Sequence, residues 1–283
     1  MERNVFLTLT HYNIDNGVGP WYISNGGNTG IGNMLFQISS TYIYAVMNNA
    51  ELYVPGLDTF FRRENLNKYD TIFRYVNNQL IPEYITVRDN FTQKPENDYI
   101  IDCEFVNNMN FHGYFENFNN FLNHRELILN LFRPTQIDID YMNTKYPVIL
   151  NDNVCSIHIR LGPDYKIIYN GSNRLYELQE CYFNSIDHMI ETKSIKTFFV
   201  FTNDREYCIN ILNNNPKYKD IQFVYSDERD YVDIWLISRI KNNIVSVSTL
   251  AWWGSYLNEH DDQYIICNKG NRDDLHYPGW VVI

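Results

Sequence analysis

The chain has 283 residues, of which 45% are hydrophobic and 20% charged, and this composition excludes a disordered or fibrous protein. The length allows one large domain or two of medium size, and two are the better expectation. A net charge of -11 repels phosphate backbones and anionic lipid surfaces, so nucleic acid is excluded as an expected partner and any anionic ligand must be held by local features.

No targeting signal is expected at the start of the chain. Residues 1–8 contain no apolar core of signal-peptide length, and no run of about 18 apolar residues follows anywhere. No membrane span is therefore expected. The five cysteines are odd in number and scattered, without C-x-x-C pairs or histidines at metal-ligand spacing, which indicates reduced thiols and no metal site.

The first strong signal is a glycine-rich segment that opens a helix. Four glycines fall within residues 25–33, and an apolar helical pattern continues over 32–48. Because glycine lacks a Cβ and tolerates positive φ, such a loop can bring backbone amides and a helix N-terminus against a phosphate or a sugar. A flexible turn capped by Asn33 explains the same residues equally well. The spacing matches neither a Walker loop nor a convincing dinucleotide fingerprint.

From residue 49 to the middle of the chain, the hydrophobic pattern is less regular. A helix is predicted around 122–131, ending at Arg133-Pro134, because the residue before a proline disfavours helix. Residues 134–152 contain two prolines and several Asp and Asn residues, which is typical of a linker. The predicted domains are therefore 1–150 and 151–283.

The second half alternates short apolar segments with helical patterns. The apolar segments are β-branched or aromatic, which predicts buried strands at 154–159, 197–202, 221–225 and 243–247. Helices are predicted at 177–192, 205–213 and 231–241 from apolar positions three or four apart. This alternation indicates an α/β domain with a parallel, doubly wound sheet, whose ligands bind beyond the carboxyl ends of the strands.

Two polar residues lie at the carboxyl end of the first of these strands. His158 and Arg160 precede a Gly162-Pro163 turn and project to the same side of an extended chain. A fixed guanidinium here could neutralise a pyrophosphate leaving group in a reaction without a metal ion. A structural ion pair between Arg160 and Asp164 has about equal weight.

Hydroxyl groups follow the strand predicted at 243–247. Ser248 and Thr249 begin a helical pattern, and hydroxyls at a helix start can add donors to a bound anion. Trp252 and Trp253 follow in the same pattern. Adjacent tryptophans are usually part of a core, so Ser248 and Thr249 are interpreted as the functional part of this segment.

Three segments, taken in order, resemble the α-1,2-fucosyltransferase family, glycosyltransferase family 11. Residues 30–37 read G-I-G-N-M-L-F-Q against the family's G-x-G-N-Q-L-F-Q, and residues 158–165 read H-I-R-L-G-P-D-Y against H-x-R-R-G-D-Y. Residues 248–254 read S-T-L-A-W-W-G against S-T-F-S-W-W-G. Residues 113–116, 201–204 and 277–280 more weakly resemble the family's G-Y-F-Q, F-S-D-D and P-x-x-W motifs. The resemblance therefore covers nearly the whole chain.

The chain also departs from the family pattern. Leu161 stands where a second arginine is usual, and Pro163 lengthens the turn before Asp164, giving an H-x-R-x-G-x-D form that resembles protein O-fucosyltransferases. Met34 replaces a glutamine, and Val247 replaces an asparagine. These departures leave the acceptor class open.

The resemblance implies a GT-B-like α/β fold of two facing Rossmann-like domains with an inter-domain cleft, with GDP on the C-terminal domain. It implies inverting transfer of L-fucose from GDP-fucose to a galactose-containing oligosaccharide, at the galactose 2-hydroxyl, with neither a cofactor nor a metal ion. The pair Asp138 and Asp140 lies in the predicted linker, so it is interpreted as a coincidental D-x-D. Animal enzymes of this kind carry a Golgi anchor, so its absence predicts a cytoplasmic protein of a microbe or virus, or a shortened chain.

The resemblance also assigns residue roles. Arg160 is expected to bind the β-phosphate and to stabilise charge as the glycosidic bond breaks. Further phosphate contacts are expected from Ser248, Thr249, Gly30, Gly32 and Asn33. His158 and Asp204 are expected to contact the guanosine, with Asn203 as a substitute for Asp204. The catalytic set is Arg160, Asp164 and His158, in which Asp164 positions Arg160 or acts as the base.

Two alternatives stay open at this stage. The first is a transferase that uses another GDP-sugar or a protein hydroxyl as acceptor. The second is a non-catalytic, glycan-binding descendant of a transferase, which the replacements at Leu161, Met34 and Val247 motivate. Such a protein would bind sugar or GDP without releasing GDP from GDP-fucose.

Overall fold

The computed structural model describes residues 3–9, 30–77, 89–92, 98–160, 174–268 and 275–283. The chain divides into two compact units, Met1–Arg133 and Pro134–Ile283, here called the N-terminal and C-terminal units. Each unit is built on its own sheet, and every strand pairing in both sheets is parallel. None of the helices within the described ranges is long and apolar enough to cross a membrane.

The N-terminal unit contains a sheet of four strands in the order β2-β1-β4-β3. The strands are β1 Asn4–Thr8, β2 Glu51–Tyr53, β3 Asp89–Thr92 and β4 Met109–His112. The helices are α1 Ile31–Met47, α2 Leu57–Glu64 and α3 Arg125–Phe132. The helix predicted at 32–48 is confirmed as α1. The one predicted at 122–131 is a 3-10 turn, Leu122–His124, followed by α3, which ends before Pro134 as expected.

The C-terminal unit contains a sheet of six strands in the order β10-β9-β8-β5-β6-β7. The strands are β5 Val154–Ile159, β6 Thr197–Thr202, β7 Gln222–Tyr225, β8 Asn242–Val245, β9 Tyr264–Cys267 and β10 Val281–Val282. The helices are α4 Gln136–Lys145, α5 Arg174–Lys193, α6 Arg205–Leu212, α7 Asp230–Ser238 and α8 Thr249–Tyr256. All four predicted strands and all three predicted helices are present, with ends shifted by no more than three residues.

The strand order of this sheet is that of a doubly wound fold. From β5 the chain adds β6 and β7 on one side, then returns to place β8, β9 and β10 on the other. Alternate residues of β5 face opposite ways, and Cys155, Ile157 and Ile159 enter an apolar core shared with α5 and α6. The predicted doubly wound α/β sheet is therefore confirmed for this unit.

The boundary between the units differs from the predicted one. It falls after Arg133 instead of near residue 150, because residues 134–152 form α4 and a 3-10 turn, Pro147–Leu150, instead of a linker. The Thr135 hydroxyl accepts a hydrogen bond from the Asp138 N–H, and the Asp138 carboxylate accepts one from the Thr135 N–H. Asp138 thus closes a capping box, and the Asp138/Asp140 pair lies on a helix.

Side chains at the end of α4 bind it to the C-terminal sheet. Lys145 forms an ion pair with Glu228 at 2.5 Å, and the hydroxyl of Tyr146 donates a hydrogen bond to Asp227. The Tyr146 ring lies edge-on to Phe199 of β6, with 5.1 Å between centroids. Pro134 and Pro147 therefore lie at the starts of helical segments of the C-terminal unit.

Helices α7 and α8 approach closely at Gly254. A Cβ at this position would lie 2.5 Å from both Cβ and Cγ2 of Ile237 and 3.2 Å from the Ile234 carbonyl oxygen. Gly254→Ala should therefore destabilise the protein by about 1–3 kcal/mol through overpacking, as measured by urea unfolding. In a double-mutant cycle, Ile237→Gly should recover part of that loss, because it removes both Cβ and Cγ2 of Ile237, the two side-chain atoms that clash. Strict additivity of the two substitutions would contradict the close approach.

Candidate active site

The switch point of the C-terminal sheet lies between β5 and β8. Ile157 pairs with Ile244, and both strands end within two residues of that pair. Because the connections from the two strands run in opposite directions, a crevice opens at their carboxyl ends, and doubly wound sheets bind ligands there. Arg160 follows β5, and Ser248 and Thr249 follow β8, so the two motifs are brought to one place.

His158 is buried beneath this crevice, with 8% of its surface exposed. Burial, with a further contribution from the positive charge of Arg160, lowers the pKa of His158 to about 3. The imidazole is therefore neutral at physiological pH. Its Nδ1 is buried and has no hydrogen-bond partner among the described residues, which is costly unless a ligand or water supplies one.

A buried polar pair, which no sequence motif indicated, lies beside His158. The Ser156 hydroxyl on β5 donates a hydrogen bond to Oδ1 of Asn243, its neighbour in the register of β8. Asn243 is completely buried, and its Nδ2 finds no acceptor in the part of the chain that the structure describes. The two asparagines that begin β8, Asn242 and Asn243, were the only available signal. Ser156, Asn243 and His158 give the base of the crevice a polar character.

The start of α8 supplies the second side of the crevice. Ser248 is the N-cap, and its hydroxyl accepts a hydrogen bond from the Leu250 N–H at 3.3 Å while keeping its own proton to donate. Thr249 is the first helical residue and is half-buried. The positive end of a helix dipole favours an anion at this position. Trp252 and Trp253 are fully buried, which confirms their interpretation as packing residues.

The predicted guanosine contacts follow β6, the other neighbour of β5. Asp204 is the N-cap of α6, and its Oδ1 accepts a hydrogen bond from the Tyr207 N–H at 3.1 Å. The Asp204 N–H in turn donates to the Thr202 hydroxyl at 3.1 Å, whereas Asn203 is exposed. Asp204 thus has a structural role in capping α6, and it lies at the same edge of the sheet as Arg160.

The glycine-rich residues belong to the N-terminal unit. Gly30 is the N-cap of α1 with φ of -59°, so positive φ is not what requires glycine there. A Cβ at Gly30 would meet no atom of the described residues within 4 Å, which leaves open space over the first helical turn. Gly32 and Asn33 lie inside α1, and the Asn33 N–H donates to the Gly30 carbonyl at 3.0 Å. The alternative of a turn capped by Asn33 also rests on residues 25–29, which lie outside the described residues, so it stays untested.

Several predicted features lie outside the described residues. They are residues 25–29 of the glycine-rich segment, together with Leu161, Pro163 and Asp164. The predicted roles of Asp164, as a partner of Arg160 or as the base, therefore stay predictions. Among the residues that the structure does describe, no group of His, Cys, Asp and Glu is placed to hold a metal ion.

The buried histidine gives the protein a specific pH dependence. Below its ordinary pKa of 6.5 the unfolded chain binds a proton on His158, whereas the folded chain stays neutral down to about pH 3. Stability should therefore fall as the pH decreases through this window, by about 1 kcal/mol per pH unit. Over two pH units below 6.5, urea unfolding should show wild type losing about 2 kcal/mol more than His158→Gln.

The histidine variant also serves as the control for other titrating groups. Burial raises the pKa of Asp233 to about 8, so this carboxyl stabilises the protein at low pH and has the opposite slope. Its contribution is present in both proteins and cancels in the comparison. Equal pH dependence of wild type and His158→Gln would contradict a neutral, buried His158.

Comparison with known proteins places these features in a family. The model of the family described as glycosyl transferase family 11 matches residues 58–282. The O-antigen biosynthesis glycosyltransferase WbnK of Escherichia coli is 26% identical, over 89% of this chain and 97% of that protein. An alpha-1,2-colitosyltransferase of Escherichia coli is 28% identical, over 82% of this chain and 86% of that protein.

A solved structure shares the fold. The crystal structure of NodZ alpha-1,6-fucosyltransferase soaked with GDP-fucose aligns with a TM-score of 0.51 over 91% of this chain and 93% of that chain, at 11% identity. At this identity the similarity concerns the fold alone, and it confirms the α/β, GT-B-like class. Together with the family match over most of the sequence, it identifies this chain as a glycosyltransferase that belongs to glycosyl transferase family 11.

Proposed function

We propose that the protein is an inverting fucosyltransferase. It transfers L-fucose from GDP-fucose to the 2-hydroxyl of galactose in an oligosaccharide, and it requires neither a cofactor nor a metal ion. The observation that carries the proposal is that Arg160 and the N-terminus of α8 follow the carboxyl ends of the neighbouring strands β5 and β8, at the switch point of the C-terminal sheet. The NodZ structure with GDP-fucose and the alpha-1,2 linkage in the name of the colitosyltransferase support the donor and the linkage.

In this proposal the crevice holds the leaving group. Arg160 binds the β-phosphate with its planar guanidinium, and the Ser248 hydroxyl and the first amides of α8 add donors. As the bond between the anomeric carbon and the phosphate oxygen breaks, negative charge grows on GDP, and these groups stabilise it more strongly than they stabilise the intact donor. Because the leaving group is so well stabilised, the general base has little to contribute.

Neutral His158 suits a role in nucleotide recognition. With the pKa lowered to about 3, the ring contributes one donor and one acceptor without a positive charge of its own. We propose that its buried Nδ1 bonds to the guanosine, with Asp204 as a second contact. Gly30, Gly32 and Asn33 belong to the N-terminal unit, and their expected phosphate contacts stay predictions.

Another GDP-sugar is the second candidate donor, because a relative transfers colitose. A donor screen separates the two: purified protein is incubated with lactose and with GDP-fucose, GDP-linked colitose or GDP-mannose, and released GDP is measured. GDP-fucose should give the highest kcat/KM, with full activity in EDTA. NMR of the product should show fucose on the galactose 2-hydroxyl, with the anomeric configuration inverted relative to the donor.

The same screen tests whether the protein is an enzyme. A glycan-binding descendant would bind GDP or lactose in calorimetry but release no GDP with any donor. Release of GDP only when a serine- or threonine-containing peptide replaces lactose would instead identify a protein acceptor. Either outcome would reject the proposed reaction.

A further inference from the structure

A polar groove lies beside α5 in the C-terminal unit. Its volume is about 400 Å³. Small-molecule sites commonly occupy about 300–1,000 Å³. One wall consists of residues of α5, and the other consists of Asn268 and Ile283, which follow β9 and β10. Because all of these residues belong to the C-terminal unit, the groove is formed within a single unit.

The polar wall of the groove follows from the sequence pattern of α5. Tyr182 and Ile186 enter the apolar core beneath the helix. Asn184, His188 and Glu191 are also three or four positions apart, so they form a polar face beside the apolar one. The helix therefore presents polar side chains where it flanks the ends of β9 and β10.

Contacts with neighbouring residues hold two of the lining side chains in place. Asn268 is buried, and its Oδ1 accepts a hydrogen bond from the Ser185 hydroxyl at 3.1 Å. Nε2 of His188 lies 3.0 Å from the Tyr264 hydroxyl, and the two rings are stacked with 8° between their planes. A ligand in the groove therefore meets groups that are already positioned, which reduces the entropy lost on binding.

The charges in the groove disfavour an anionic ligand. The Asp187 carboxylate forms an ion pair with Lys217 and accepts a hydrogen bond from the Tyr218 hydroxyl at 3.2 Å. Glu191 is exposed and adds a further negative charge. The lining that the structure describes contains neither lysine nor arginine. In a protein with a net charge of -11, such a groove repels phosphates and other anions.

The amide side chains of the groove favour a neutral ligand that carries hydroxyl groups. Asn184 and Asn268 each offer a carbonyl oxygen that accepts and an NH₂ group that donates, and a hydroxyl group does both as well. An organic cation would use only the acceptors, and Lys217 already neutralises Asp187. The lining therefore suits a polyhydroxylated ligand, such as a sugar.

The groove begins at the edge of the sheet that carries the crevice. Asn268 follows β9 and Arg160 follows β5, and only β8 separates these two strands. Since neighbouring strands are about 4.8 Å apart, the carboxyl ends of β9 and β5 are separated by about 10 Å. An oligosaccharide of several residues spans such a distance.

We propose that this groove is a secondary binding site for the oligosaccharide acceptor, where it holds sugar residues remote from the reacting galactose. The inference rests on the proposed function. Asn184, Glu191 and Asn268 bond to hydroxyl groups of the remote sugars, while the donor occupies the crevice. The groove therefore lowers KM for a long acceptor and leaves KM unchanged for a disaccharide that is too short to reach it.

The test is a double variant, Asn184→Ala with Glu191→Ala, which removes two exposed lining side chains. In wild type, KM should be about tenfold lower for lacto-N-neotetraose, a galactose-ended tetrasaccharide, than for N-acetyllactosamine, its terminal disaccharide. The variant should lose this difference, because two hydrogen bonds contribute about one order of magnitude in affinity. Its KM for the disaccharide should equal that of wild type.

The matched control is Glu180→Ala with Thr192→Ala, at two exposed residues of α5 that do not line the groove. It removes the same charge from the same helix and should keep the tenfold difference between the two acceptors. Loss of the difference in the groove variant alone would support the inference.

Two results would overturn the inference while leaving the proposed function intact. One is a groove variant with the wild-type KM for the tetrasaccharide. The other is thermal stabilisation of wild type, but not of the groove variant, by spermidine and not by the tetrasaccharide, which would identify a cation site. Absence of transfer to both acceptors in wild type would instead reject the proposed function, and calorimetry of tetrasaccharide binding to wild type and the groove variant would then decide the inference separately.

Discussion

Replacing Arg160 by alanine should lower the rate of fucose transfer by about 10²–10³-fold, the usual effect of removing one group that stabilises developing charge. The guanidinium follows β5 at the switch point and is half-buried. Because the protein has a net charge of -11, its overall electrostatic field repels an anion, and Arg160 has to attract the phosphate locally. Released GDP, measured at saturating lactose, gives the rate. Thermal unfolding should show that the variant keeps its fold.

Two further variants define what Arg160 contributes. Arg160→Lys should recover little of the lost rate, because an ammonium group lacks the planar fork that binds two phosphate oxygens. Arg133→Ala, at an exposed arginine next to the unit boundary, is the control for loss of a positive charge and should keep wild-type turnover. Near wild-type turnover of GDP-fucose by Arg160→Ala would show that the site assignment is wrong.

Replacing Trp252 by alanine should destabilise the C-terminal unit by about 3–5 kcal/mol, the range for a large aromatic residue removed from a core. Only 1% of its surface is exposed, and its indole N–H donates a hydrogen bond to the Leu275 carbonyl at 2.8 Å. Its ring stacks on Tyr256 with 5.0 Å between centroids and also contacts Tyr277 and Trp280. The variant therefore loses a hydrogen bond and leaves a cavity. Urea unfolding measures the effect.

A graded series separates volume from hydrogen bonding at this position. Trp252→Phe retains much of the ring and loses the bond to Leu275, so its cost should lie between those of wild type and Trp252→Ala. Trp280→Ala removes a half-buried ring from the edge of the same cluster and should cost less than Trp252→Ala. If Trp252→Ala cost no more than Trp280→Ala, the cluster would not be the core that its burial indicates.

Loss of Trp252 should also reduce activity. Trp252 belongs to the first turn of α8, whose N-cap is Ser248, so the helix that completes the crevice is anchored by the aromatic cluster behind it. A mispacked α8 would displace the amides that face the leaving group. GDP affinity should therefore fall together with stability in Trp252→Ala. In Arg160→Ala, by contrast, activity falls without a loss of stability.

Much of the C-terminal unit could be predicted because its signals are local. Strands β5 and β6 occupy the predicted residues, since short β-branched and aromatic segments between polar residues can hardly form anything but buried strands. The placement of Arg160 at a strand end follows from the same signal. The prediction of a linker at 134–152 was wrong for a related reason. Proline and aspartate occur both in linkers and at the starts of helices, and the local pattern does not distinguish the two.

The sequence by itself determined the alternation of strands and helices, the polar residues at the strand ends and the resemblance that orders the motifs. Only the tertiary structure decided that β8 pairs with β5, so that Ser248 and Arg160 follow neighbouring strands at the same edge of the sheet. It alone revealed the buried nitrogen of His158, the polar pair of Ser156 and Asn243, and the positive φ of 48° at the buried Phe115. The reason is physical: hydrophobic period and turn residues act over a few neighbours, whereas strand pairing, burial and backbone strain depend on segments far apart in the chain.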